Sequence, residues 1–126
     1  MNLLSLFSRW LRAGIGLCYY RPMTYNFEVS PEQDLPRLQE LDSEMGDLIA
    51  ITLEKLREHA VDQLSHEALM DQHMHLAFRI VGYEWELQQM ASETANRKRP
   101  VLQAMCQLRD WLETVLHEGQ AAQGAE

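Results

Sequence analysis

The stretch spanning residues 69–87 constrains the fold more than any other part of this chain. Leu69, Met70, Met74, Leu76, Ala77, Phe78, Ile80, Val81, Tyr83, Trp85 and Leu87 recur there at helical spacing. At ~100° per residue they cover an arc of about 220°. A helix that is apolar over more than half its circumference needs neighbours on two sides, so the pattern predicts a central helix. Ser65 suits its N-cap, and the apolar spacing carries it to about Glu93.

The flanking segments supply the neighbours. A first long helix is predicted from Asp34, with Pro36 tolerated in its opening turn, to about Gln63. Its stripe is Leu38, Leu41, Met45, Leu48, Ile49, Leu53, Leu56 and Ala60. Gly46 costs such a helix about 1 kcal/mol relative to Ala, which argues mildly against continuity. After the central helix, "SETANRKRP" breaks the pattern. Arg97, Lys98 and Arg99 then sit near a helix C-terminus, where cations are favoured, and Pro100 opens the last helix. That helix carries Val101, Ala104, Met105, Leu108, Trp111, Leu112, Val115 and Leu116 on one face and stops before Gly119.

Short connections imply antiparallel neighbours. The reading is therefore all-α: an antiparallel three-helix bundle, built as a long helical hairpin plus a shorter third helix. An amphipathic N-terminal helix and an extended connector precede it. The divisions are an N-terminal basic segment (1–22), the connector (23–33), the bundle (34–118) and a flexible tail (119–126). Because the third helix is nearly ten residues shorter, the far end of the hairpin lacks a partner. The N-terminal helix, a second copy or another protein is expected to cover it.

In the N-terminal segment, Leu3, Leu4, Leu6, Phe7, Trp10, Leu11 and Ala13 share one face of a helix, opposite Ser5, Ser8, Arg9 and Arg12. Two arginines interrupt it well short of the ~20 apolar residues of a membrane span. It is also a poor secretory signal, since the arginines lie inside the apolar stretch. Leu3, Phe7, Trp10 and Leu11 are candidates for packing on the domain or on another chain, and residues 3–13 for lying on a membrane surface. Met23 would serve as a start for the helical part by itself. Aromatic and β-branched residues in the connector allow one short strand around residues 25–29.

Charge narrows the classes of partner. Residues 1–22 hold Arg9, Arg12 and Arg21 and no acid, so the chain's net −8 leaves −11 on the remainder. Between residues 28 and 54, eight acids face a single base, Arg37. An acidic body argues against direct nucleic-acid binding, which rests on neutralising phosphates. Glu40, Asp42, Glu44 and Asp47 are candidates for docking a basic partner, or for occupying a basic or nucleic-acid-binding groove as an acidic inhibitor. Cys18 and Cys106 form no disulfide framework and read as free thiols in a reducing compartment.

The search for chemistry yields absences. His73 falls inside the apolar arc and His75 about 200° further round, so one helix cannot aim both rings at one metal ion. Of the five histidines none follows a glutamate by three residues, as di-iron bundles require. His59, His66 and His73 are spaced by seven, but a helix break falls between the first two. Cys106 and His117 would stand about 16 Å apart along their helix, beyond the reach of a thiolate–imidazole pair. No catalytic residue, metal or cofactor is assigned. The expectation is a cytoplasmic, non-enzymatic helical protein of adaptor, regulatory or chaperone-like type. It would act through protein–protein contacts with another protein or a second copy of itself.

Overall fold

The computed structural model describes residues 29–124, with side chains through Gly119. The N-terminal segment with Leu3, Phe7, Trp10 and Leu11, Cys18, and all but Val29 of the strand expected around 25–29 lie outside the described residues. Within them the chain is all-helical. The helices are α1 (Leu35–Leu41), α2 (Ser43–Asp62), α3 (His66–Gln89) and α4 (Ser92–Gly124).

The first long helix is divided at Asp42. That residue takes an extended conformation (φ −155°, ψ 105°), and its carboxylate accepts a hydrogen bond from the Met45 amide at 3.1 Å. This satisfies one of the four amides that a helix start leaves without intrahelical acceptors. The chain reverses there, so α1 folds back on α2. Gly46 permits the close approach: a Cβ at that position would lie 2.5 Å from the Gln39 Cα. Leu38 of α1 is buried against Met45, Leu48, Ile49, Leu53 and Leu56 of α2 and the rest of the core.

Cross-helix contacts fix the direction of the others. Gln72 Nε2 donates to Thr52 Oγ1 at 2.9 Å, and Arg79 pairs with Glu44, so α3 runs antiparallel to α2. His73 of α3 meets Glu113 of α4 at 3.3 Å. Lys98 of α4 meets Asp42 at the start of α2, and Glu118 lies beside His59 near its end, so α2 and α4 run parallel. Thr52 is fully buried, yet its hydroxyl is satisfied: it accepts from Gln72 and donates to the Leu48 carbonyl. Ser65 caps α3, its hydroxyl accepting from the Ala68 amide. At the other side of that turn Gln63 closes α2 in the left-handed region, with φ 52°.

Besides the division at Asp42, two expectations are corrected. The helix break after α3 falls at Met90 and Ala91, not within "SETANRKRP". Residues 92–99 form the first two turns of α4, which then runs through Pro100. A proline inside a helix costs roughly 3 kcal/mol, but burial of Ala95 and Val101 on either side of it favours a continuous rod. The third long helix is therefore the longest at 33 residues, and it passes Gly119 to reach Gly124.

Position in the bundle is the second correction. The central helix is α4, not the one spanning residues 69–87. Val101, Ala104, Met105, Leu108, Trp111, Leu112, Val115 and Leu116 of α4 are all buried, and α4 contacts α1, α2 and α3. Helix α3 lies at an edge and buries only Leu69, Leu76, Ile80, Tyr83 and Leu87.

Candidate interaction surface

Helix α3 has two apolar faces, and the bundle uses one. The buried five belong to the bundle core, each aliphatic side chain contributing about 1.5–3 kcal/mol through removal from water. Met70, Met74, Phe78, Val81 and Trp85 lie on the outward face, 39–82% exposed. Their spacing of 4, 4, 3 and 4 residues keeps them in one row along about 22 Å of helix. The width of this apolar arc asks for neighbours on two sides. Within the described residues, however, only one side of the arc is covered. The exposed row amounts to something on the order of 600 Å², the upper end of what a typical monomer shows in one patch.

The surroundings of the row are polar and mostly acidic. Glu67, Asp71, Glu84 and Glu86 are exposed on the same helix. Between the outer row and α2 runs an open groove lined by Met45, Phe78, Arg79, Val81, Gly82, Tyr83 and Glu86. Arg79 is held across the groove by Glu44. The groove thus has an apolar floor and an ion pair at its edge.

The four acids considered for docking divide by role. Asp42 caps α2, meets Lys98 Nζ at 3.7 Å and lies beside the buried Tyr83 hydroxyl. Burial first, and Asp42 second, hold the Tyr83 pKa above its ordinary value. Glu44 is paired with Arg79, and Asp47 accepts a long hydrogen bond from Gln39 at 3.4 Å. Glu40 stands exposed at the end of α1. Asp42 and Glu44 therefore already tie the α1–α2 corner to α3 and α4.

The histidines are apart. His73 is half-buried with one ring nitrogen on Glu113, whereas His75 is exposed. His59 works as part of a cap: its Nδ1 accepts from the Leu64 amide at 3.0 Å, so that nitrogen carries no proton. Burial lowers its pKa, partly opposed by Glu118. Among the described residues no three His, Cys, Asp or Glu side chains gather as metal ligands. The Cys106 thiol is pushed up to about 12, first by burial and then by Asp110 and Glu84, so little of it is thiolate at neutral pH.

The signal for the outer row was present in the sequence as the width of the apolar arc. What the pattern could not say was which part of that arc faces the chain's own core. No described helix is long and apolar enough to cross a membrane. Compared with known proteins, the chain matches no family model, no curated sequence and no solved structure.

Proposed function

We propose that this protein is a small, acidic, non-enzymatic interaction protein, an adaptor or regulator that binds an amphipathic helix of a partner on the outward face of α3. The observation that carries this is the row Met70, Met74, Phe78, Val81 and Trp85, exposed along one side of a helix whose other side is core. Helix-in-groove recognition reads anchors at this spacing. Aromatic residues and methionine, both enriched in contact surfaces, make up four of the five. The exposed acids along α3 favour a partner helix with Lys or Arg beside its apolar anchors.

The test compares the full chain with a Phe78→Asp/Trp85→Asp variant as baits in the native host. Because both side chains are exposed, the variant is expected to keep its helicity and unfolding midpoint. A protein retained by the natural chain and lost by the variant supports the reading. Identical retention by the two ends it.

A further inference from the structure

Resting on that reading of α3, we infer that residues 3–13 of this same chain are the resident occupant of the outward face, which a partner helix must displace. Three observations lead there. The first is reach. The described chain begins at Val29, which is buried and whose carbonyl accepts from Gln107 Nε2 of α4 at 2.9 Å. Gln107 lies six residues before Glu113, which meets His73 of the antiparallel α3. The attachment point is therefore level with Arg79, at the middle of the exposed row. Gln107 and Glu113 stand about 120° apart around α4, so the path to the outward face skirts both α4 and α3, roughly 40 Å, and residues 14–28 can span up to ~50 Å.

The second is chemical fit. In helical form, residues 3–13 present Leu3, Leu6, Phe7, Trp10 and Leu11 on one face about 15 Å long, which suits a row of about 22 Å. The segment to residue 22 carries +3 with no acid, against −11 on the rest of the chain. Glu67, Asp71, Glu84 and Glu86 are exposed along α3, opposite in charge to Arg9 and Arg12.

The third is size, which separates this occupant from a second copy. An interface confined to the exposed row buries the order of 600 Å² on each chain, short of the about 800 Å² of a stable complex, so a second copy would hold it only weakly and a partner helix would need contacts beyond the row. Pairing two copies through α3 would also set acid against acid. A tethered segment needs far less intrinsic affinity, since a short linker supplies a millimolar effective concentration.

The experiment replaces Phe7 in the full chain with the photoreactive benzoylphenylalanine, irradiates, and maps the products by mass spectrometry. The expected result is an intrachain cross-link into peptides containing residues 70–85. Its yield should fall about tenfold or more in the Phe78→Asp/Trp85→Asp background, with helicity unchanged. Cross-links between chains would overturn the assignment in favour of a second copy. Loss of the intrachain product on adding vesicles of anionic phospholipid, with label appearing on lipid, would overturn it in favour of a membrane surface. Products elsewhere on the bundle, or none on α3, overturn it outright. The capture experiment above reads the α3 face independently, so a face that still retains a partner without this cross-link refutes only the occupant.

Discussion

Replacing Gly46 with alanine gives the sharpest test of how the α1–α2 corner is built. In an ordinary helix interior the change gains about 1 kcal/mol, because alanine loses less backbone freedom. Here the new methyl would sit 2.5 Å from the Gln39 Cα, 2.8 Å from its Cγ and 2.9 Å from its amide nitrogen. Carbon atoms in contact prefer about 3.5–4.0 Å, so the overlap with backbone exceeds ~1 Å. No rotamer change relieves it, and α1 must move off α2. A gap of that size forfeits up to half of the dispersion contacts around Leu38, while releasing α1 entirely would cost the full burial of Leu38, roughly 2–5 kcal/mol. After the propensity gain, Gly46→Ala is expected to destabilise by about 2 kcal/mol. Gly82→Ala is the control: this glycine is also inside a helix, but nothing lies within 4 Å of its would-be methyl. It should stabilise by about 1 kcal/mol. Urea unfolding followed by far-ultraviolet circular dichroism reads both, and the two midpoints should separate by more than roughly 1 M in opposite directions from the natural chain. A Gly46→Ala midpoint that rises with that of Gly82→Ala would refute the close approach.

Asp42→Ala should cost about 1–2 kcal/mol, since it removes the α2 cap and the carboxylate facing Lys98, and the loss should be partly restored by Asp42→Asn, which can still cap. Gln63→Gly should stabilise by up to about 1 kcal/mol in the same urea assay, because only glycine holds φ 52° without a Cβ penalty. Protonating His59 removes the acceptor for the Leu64 amide, and its folded pKa lies below the unfolded 6.5. The unfolded chain therefore binds the proton more readily, and this contribution to stability is complete above about pH 6.5 and fades as pH falls below it. The difference in unfolding midpoint between the natural chain and His59→Asn should accordingly shrink between pH 7.5 and 5.5; a constant difference would refute the cap.

Local signals in the amino-acid order determined much of the helical reading. Apolar spacing marked the stripes of α2 and α4, Ser65 marked a cap that forms, and the separation of His73 from His75 followed from helical pitch alone. Tertiary structure decided what such patterns leave open. Asp42 and Gly46 turn one predicted helix into a tight pair because capping and close backbone approach outweigh continuation, and that balance depends on where α1 can pack. Pro100 stays inside α4 because burial around it offsets a cost that local propensity would treat as a stop. Above all, the wide arc of residues 69–87 fixes how much apolar surface the helix carries but not who covers it. Water is excluded equally well by the same chain or by another, so only the packed bundle places Leu76 and Ile80 in the core and leaves Phe78 and Trp85 outside.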